Sequence, residues 1–175
     1  GPGVSPDTTA ETYQYDGASR LVRAQDNDSL LTRAYDSLSN VLRETQRILP
    51  AGPVRTFTST YDGVANLLRL SYPGGRAIVS TYDALDRPSL VRDDPPGAEP
   101  MLATYRYVGA RRVERRDLGN GTRLDSSYDG LRRTVETRHS RIATGTLIDD
   151  RFYSFDAIGN KIFMNSTLSV PPENR

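Results

Sequence analysis

Apolar and polar residues alternate along most of the chain in short runs, which are separated by clusters of Gly, Pro, Asn and Asp. The runs 56–61 and 77–82 are rich in Thr, Ser, Val and Tyr. Such a period of two predicts β-strands, because successive side chains of a strand point to opposite faces of the sheet. The stretch 37–48 has the best helical period, but it is only as long as a strand pair elsewhere, and we interpret it as strand.

A Tyr-Asp dipeptide recurs along the chain, with an Arg or Asn five residues after each aromatic residue. In two variant copies, Phe155 replaces the Tyr and Val108 replaces the Asp. The aromatic residues are alternately 20 to 21 and 25 to 27 residues apart. The repeat residues, which we expect to have structural roles, are Tyr15, Asp16, Arg20; Tyr35, Asp36, Asn40; Tyr61, Asp62, Asn66; Tyr82, Asp83, Arg87; Tyr107, Arg112; Tyr128, Asp129, Arg133; and Phe155, Asp156, Asn160.

Each interval fits two strands and a turn. An Asp that ends a strand can accept hydrogen bonds from backbone N–H groups two residues on and begin an Asx turn. We expect the small residue after it, such as Gly17 or Ala84, to let the chain bend, and the Arg or Asn to pair with the Asp. Tyr rings repeated at one register would form a ladder of stacked aromatics.

Composition excludes several classes of function. The chain has 23 basic and 22 acidic residues, so it lacks the basic surplus of a nucleic-acid-binding domain. It has no Cys, which excludes disulfides and zinc–thiolate sites, and no apolar run of about 20 residues that would insert in a membrane. We expect no cofactor. Residues 1–9 are interpreted as a flexible tail or cloning remnant, 10–169 as the repeat sheet and 170–175 as a second flexible tail.

Candidate chemistry is sparse. The single His139 lacks an evident partner, and we expect it on a surface loop. The acidic clusters 26–28 and 93–94 lack the ligand spacing of a calcium loop, and Asp149-Asp150 is expected in a solvated turn. The basic stretches 111–116 and 132–133 could bind a polyanion, but nearby carboxylates favour pairing within the sheet. We therefore predict no catalytic or metal-binding residues and leave binding residues unassigned.

The stretches 72–76 with 81–87, 118–123 with 127–133, and 155–160 resemble the signature of RHS/YD-repeat proteins. The resemblance covers residues 13–164. It implies a long β-ribbon that spirals into a hollow shell, as in bacterial polymorphic toxins and ABC-type toxin complexes, where the shell encloses a C-terminal toxic polypeptide. Family repeats often place Gly before the Arg, whereas only Gly159 does so here, so we expect degenerate turns. The Asp-Pro-x-Gly-Leu type sequence that closes many such shells is absent.

We predict an all-β fold of antiparallel β-hairpin repeats in a twisted, open, ribbon-like sheet. The resemblance implies a non-catalytic wall segment of a shell that encloses or delivers a toxin, in a secreted or cell-surface bacterial protein. Its expected partners are neighbouring repeats of the parent chain, an enclosed toxin polypeptide and, through open sheet edges, further copies of itself. The alternatives are a cell-surface adhesion module that binds a glycan or protein through its Tyr/Arg face and, as a third hypothesis, a hydrolase.

Overall fold

The computed structural model describes residues 10–94 and 101–168, and in these ranges it is all-β. Fourteen antiparallel strands form one open sheet in which the strand order follows the chain. The predicted fold class is confirmed, and the stretch 37–48 contains a strand. The strands are β1 (Thr12–Tyr15), β2 (Leu21–Gln25), β3 (Ser29–Tyr35), β4 (Val41–Ile48), β5 (Val54–Tyr61), β6 (Leu67–Ser71), β7 (Ala77–Tyr82), β8 (Pro88–Asp94), β9 (Met101–Val108), β10 (Arg112–Leu118), β11 (Thr122–Tyr128), β12 (Thr134–Arg141), β13 (Leu147–Phe155) and β14 (Lys161–Leu168).

The chain divides into two compact units, Gly1–Ser80 and Thr81–Arg175. Because consecutive strands run in opposite directions, all motif turns of a unit lie at the same ends of its strands. We call this side of each unit the motif rim; it carries turns 16–20, 36–40 and 62–66 in the first unit and 83–87, 109–111, 129–133 and 156–160 in the second. The opposite loop rim carries turns 26–28, 49–53 and 72–76 in the first unit and 119–121 and 142–146 in the second. The stretch 95–100 and the two predicted tails, 1–9 and 170–175, lie outside the described residues.

The sheet has very little apolar core. Among the described residues, Ala77 and Ala103 are the buried apolar residues, and Thr122 and Asp150 are the buried polar ones. The prediction of one open antiparallel sheet is confirmed. Hairpins of this kind are marginal alone, so contacts between neighbours must supply stability.

Cross-strand ion pairs supply part of those contacts. In the first unit Arg33 donates to Glu44 at 2.8 Å, and the Thr32 and Thr45 hydroxyls meet between the same strands. The second unit contains a longer series between neighbouring strands. Its pairs are Arg115–Asp125 at 2.7 Å, Arg123–Asp117 at 2.6 Å and Arg138–Asp150 at 3.1 Å.

Candidate functional site

The motif turns share one hydrogen-bond pattern, centred on the Asp that follows the aromatic residue. In the first copy, Asp16 Oδ1 accepts from the backbone N–H groups of Ala18 at 2.9 Å and Arg20 at 3.0 Å, and Asp16 Oδ2 accepts from Arg20 Nε at 2.7 Å. Where Asn replaces Arg, its Nδ2 atom bonds the same oxygen, as Asn40 does with Asp36 at 2.9 Å. The pattern recurs at Asp16, Asp36, Asp62, Asp83, Asp129 and Asp156. One carboxylate thus satisfies three donors and closes the turn.

The residue before the Arg or Asn adopts the left-handed conformation in these turns. The φ values are 60° for Ser19, 68° for Ser39, 68° for Ala65, 56° for Asp86, 69° for Arg132 and 93° for Gly159. The expectation of degenerate turns is therefore wrong: the turns keep their geometry without Gly. The Ser19 N–H donates to the Asp16 carbonyl at 3.0 Å, so the small residue after the Asp lies at the centre of the turn, as expected, and the left-handed residue follows it. The Asp bonds hold both ends of the turn, which offsets the roughly 1–2 kcal/mol cost of a left-handed non-glycine residue.

The fifth copy lacks the Asp and closes differently. Its turn follows Tyr107-Val108 and places Gly109 at a φ of 61°. Arg87, from the preceding copy, donates from Nη1 to the carbonyls of Gly109 at 2.6 Å and Ala110 at 3.1 Å. A guanidinium from the neighbouring hairpin thus bonds the exposed carbonyls of this turn.

In six motif hairpins of the described chain, the return strand has a β-bulge near its start. Gln14 pairs with Arg23 while Tyr15 pairs with Leu21, which leaves Val22 without a partner residue in the register. The same one-residue shift occurs directly before the aromatic residue in five further hairpins, those of Tyr35, Tyr61, Tyr107, Tyr128 and Phe155. A bulge bends the strand and increases its twist, so one bulge per hairpin gives each unit a repeated bend.

Tyrosine hydroxyls connect several hairpins to the one before them. The Tyr35 hydroxyl donates to the carbonyl of Leu21 at 2.8 Å, and the acceptor is the residue directly after Arg20 of the preceding copy. The corresponding bonds are Tyr61 to Val41 at 3.3 Å, Tyr107 to Pro88 at 2.8 Å and Tyr128 to Val113 at 2.8 Å. The aromatic residue of the motif therefore bonds a neighbouring hairpin with its polar end.

Arginines make a second connection in the same place. The Arg20 guanidinium lies 4.7 Å from the ring centroid of Tyr35 and donates to the Asp36 carbonyl at 2.7 Å. Such cation–π contacts contribute about 0.5–1 kcal/mol at exposed sites and more when desolvated. The other pairs are Arg87–Tyr107 at 4.3 Å, Arg112–Tyr128 at 5.2 Å and Arg133–Phe155 at 4.6 Å.

The predicted ladder of stacked aromatics takes a different form. In the pairs above, the arginine of one copy lies over the motif ring of the next copy. Direct ring contacts in the described chain join other pairs. The ring centroids of Tyr105 and Tyr107, which belong to one copy, are 6.4 Å apart, and those of Phe57 and Tyr72 are 5.9 Å apart. Sequence reasoning found the Tyr and Arg positions but missed this arrangement, for which the five-residue spacing was the only signal.

Phe155 offers a test of the hydroxyl bond, because it is the motif aromatic without one. Phe155→Tyr would place a hydroxyl near the Thr134 carbonyl, which follows Arg133 as Leu21 follows Arg20. We expect the free energy of unfolding to rise by about 1 kcal/mol, as for an added intramolecular hydrogen bond. Tyr128→Phe, which removes the bond to Val113, is the matched variant and should lower it by a similar amount. Urea denaturation measures both, and equal effects of the same sign would contradict the assignment.

The motif carboxylates also predict how stability depends on pH. Backbone bonds from Arg20 and Arg133 lower the pKa of Asp16 and Asp129. Side-chain bonds from Asn40, Asn66 and Arg87 do the same for Asp36, Asp62 and Asp83, and for Asp156 the bonds of Asn160 outweigh the opposing effect of burial on its pKa.

A lowered folded-state pKa contributes stability that is complete above the unfolded-state pKa of about 3.9 and is lost as pH falls below it. We expect the urea midpoint to be nearly constant from about pH 7 to 5 and to fall steeply below about pH 4. Asp129→Asn, which cannot titrate, should reduce that slope. A midpoint that is unchanged or higher at about pH 3 would contradict the role of these carboxylates.

Two of the other candidate groups lie elsewhere than expected. His139 is half-buried within β12, opposite Leu124 and Asp149, and is not on a loop. Asp149 and Asp150 lie within β13 and not in a turn, and Asp150 is 5% exposed. Ion pairs with Arg138 and Arg151 permit carboxylates in this strand.

In the basic stretches, Arg115 pairs with Asp125 at 2.7 Å and Arg133 with Asp129 at 2.7 Å, as the neighbouring carboxylates led us to expect. On one face of the second unit a groove of about 480 Å³ is lined mainly by charged side chains. Its arginines already contact acids, including Arg106–Glu114 at 3.4 Å, Arg115–Asp125 at 2.7 Å and Arg138–Glu136 at 3.0 Å. Within residues 10–94 and 101–168 there is no cluster of three or more His, Asp or Glu residues placed to hold a metal ion. The same residues contain no helix with the length and apolarity to cross a membrane.

Solved structures include several with the fold of this chain. It superposes on a chain of the Photorhabdus luminescens Tc holotoxin pore with a TM-score of 0.77 and 18% identity, over 95% of its length. The TM-score is 0.78 for the crystal structures of TcdB2-TccC3-TEV, at 17% identity over 94% of the chain, and TcdB2-TccC3-Cdc42, at 18% over 93%. The chain spans 9% of the length of each of these chains. No protein-family model and no curated protein matches the sequence. The predicted RHS/YD-type hairpin fold is confirmed.

Proposed function

We propose that the chain is a non-catalytic wall segment of an RHS/YD-repeat shell, which encloses or delivers a toxin polypeptide in a secreted bacterial protein. The observation that carries this proposal is that the motif residues bond the sheet itself. Asp, Arg and Tyr, which serve as acids, bases or ligands in active sites, are here bonded to backbone groups of their own or a neighbouring hairpin. Such residues extend a sheet, one hairpin after another.

The fold match supports the same role. The superposed structures are a Tc holotoxin pore and complexes of TcdB2 with TccC3, and the chain corresponds to a small part of each. A wall segment has this relation to a shell, because one segment cannot enclose a volume. We accordingly assign the repeat residues structural roles, residues 10–169 to the repeat sheet and the remainder to tails.

The outer strands indicate the partners of such a segment. Within the described chain, β1 and β14 each pair on one side. A strand at a sheet edge presents backbone N–H and C=O groups that pair readily with another strand. Next to this edge, Ile162, Phe163 and Met164 of β14 are 57–65% exposed. We assign both edges to neighbouring repeats of a longer polypeptide, with self-association as the consequence when those repeats are absent.

Imaging of the natural polypeptide that contains this segment tests the proposal. Electron microscopy should show a hollow particle, and limited proteolysis should leave an enclosed polypeptide intact until the shell is opened by denaturant. A particle without an interior, or an extended chain that binds glycans at the cell surface, would overturn the proposed function in favour of adhesion.

A further inference from the structure

The motif rim carries an apolar side chain at the tip of every motif turn. The residue two positions after the Asp, or after Val108 in the variant copy, is apolar in all seven copies: Ala18, Leu38, Val64, Leu85, Ala110, Leu131 and Ile158. The five larger ones are exposed by 60%, 64%, 61%, 69% and 86%, in chain order from Leu38 to Ile158. We call all seven the tip residues.

The turn itself does not require an apolar tip residue. Its contribution is a backbone N–H, such as that of Leu38, which donates to Asp36 Oδ1 at 2.9 Å. Any residue except proline supplies this donor. Solvent-exposed turns usually carry polar residues, and a regular set of exposed apolar side chains is typical of an interaction surface. The tip residues therefore indicate a contact beyond their own turns.

The loop rim of the first unit offers a surface of matching chemistry. A groove of about 370 Å³ lies among β3, β4 and β5, where the loop 49–53 joins two of these strands. Leu30, Leu31, Ile48 and Pro53 line it, together with the stems of Arg47 and Arg55. Ile48 is 64% exposed, so the groove is open to an apolar group from outside. An aliphatic side chain of tip size fits such a groove.

Area argues against a free second copy as the occupant. A row of three tip residues, such as Leu85, Leu131 and Ile158, offers on the order of 300 Å² of apolar surface. Stable interfaces between separate proteins bury roughly 800 Å² from each partner. A tethered segment needs far less, because covalent linkage raises its effective concentration to about the millimolar range.

We propose that the tip residues of the motif rim pack against the loop rim of another course of the same ribbon. By a course we mean a further row of hairpins of the same repeat, contributed by the natural polypeptide outside residues 1–175. Tip residues of successive copies are two strands apart, roughly 9.5 Å. Another course of the same repeat has the same spacing, so contacts recur along the rim. This inference rests on the proposed function, and it assigns the tip residues and the groove at Ile48 as the two sides of the contact between courses.

The absence of native cysteine permits a direct test by disulfide capture. Two full chains are joined by a flexible Gly/Ser linker of about 40 residues, with L131C in one copy and I48C in the other. The matched control replaces I48C with T58C, an exposed position in the middle of β5. We expect the tip-to-groove disulfide to form at least tenfold faster than the tip-to-strand disulfide, and L38S and L85S in the tip-bearing copy to reduce the difference.

Equal rates of disulfide formation for the I48C and T58C proteins would overturn the inference. So would a faster disulfide in a linked protein that carries L131C in both copies. The outcome is distinct from that of the proposed function. Hollow particles of the natural polypeptide whose rims resist crosslinking would refute the rim contact alone. Efficient crosslinking without an enclosed interior would refute the shell and retain the contact between courses.

Discussion

Replacement of Arg87 by Asn should lower the free energy of unfolding by about 3 kcal/mol. The variant keeps the bond to Asp83, since Asn40 bonds Asp36 in the same way. It removes two bonds from a charged donor to the Gly109 and Ala110 carbonyls and the contact with the Tyr107 ring at 4.3 Å. Bonds of a charged donor contribute about 1.5–3 kcal/mol each and a partly desolvated cation–π contact about 1 kcal/mol, but these contributions overlap.

Urea denaturation of Arg87→Asn and of Arg55→Asn separates this effect from a general loss of charge. Arg55 is an exposed arginine of β5, for which we expect a change within about 0.5 kcal/mol. A double-mutant cycle of Arg87→Asn with Tyr107→Leu should show a coupling of at least about 1 kcal/mol. Equal losses of stability in the two arginine variants, or a cycle without coupling, would contradict the claim that the motif arginine stabilises the contact between hairpins.

Gly119→Ala should be at least as disruptive. A Cβ atom at this position would overlap the Met101 carbonyl oxygen, because Gly119 lies directly beside the start of β9. The Gly119 N–H donates to the Leu102 carbonyl at 2.9 Å, so the chain cannot move away without losing that bond. We expect a loss of about 3 kcal/mol or more, as for overpacking against a rigid neighbour.

Gly63→Ala is the control for Gly119→Ala. Gly63 also lies in a turn, but a Cβ there would meet no atom within 4 Å, and its φ is not in the left-handed region. Its free energy of unfolding should change by less than about 0.5 kcal/mol. A Gly119→Ala protein as stable as Gly63→Ala would show that β9 and β10 are farther apart than in this structure.

The sequence is sufficient to predict the hairpins but not the bonds between them. The Tyr-Asp spacing and the period of two identify the strands, because turn chemistry and alternation are local properties. The hydroxyl bond from Tyr35 to Leu21 joins residues from different copies, and no local pattern encodes which carbonyl accepts it. Ser19 and Arg132 illustrate a second limit: the bonds of the preceding Asp stabilise a left-handed conformation that residue type alone disfavours.

Charged residues were the other source of error. Asp150 looked solvated beside Asp149, yet it is buried in β13 because Arg138 of the neighbouring strand bonds it at 3.1 Å. In a sheet with little apolar core, an acid and a base on adjacent strands can cover each other. The choice between a turn and a paired strand position thus depends on register, which a single sequence does not reveal.

The identity of the motif cation also bears on how strongly hairpins are joined. Arg20 reaches both the ring of Tyr35 and the Asp36 carbonyl of the next copy. The shorter Asn40 side chain bonds Asp36 of its own turn, and at its junction the Tyr61 hydroxyl reaches the Val41 carbonyl at 3.3 Å. We therefore expect junctions with Arg to open less readily than this one in hydrogen exchange.

The central claim is that this chain is a segment of a continuous open ribbon, and light scattering over a concentration series tests it most directly. With circular dichroism alongside, we predict a β-rich species whose mass grows with concentration through the edges at β1 and β14. Phe163→Lys, which places a charge on the exposed face of β14, should suppress that growth while leaving the β-signal unchanged. A well-folded monomer at every concentration would contradict the open ribbon and indicate an autonomous module.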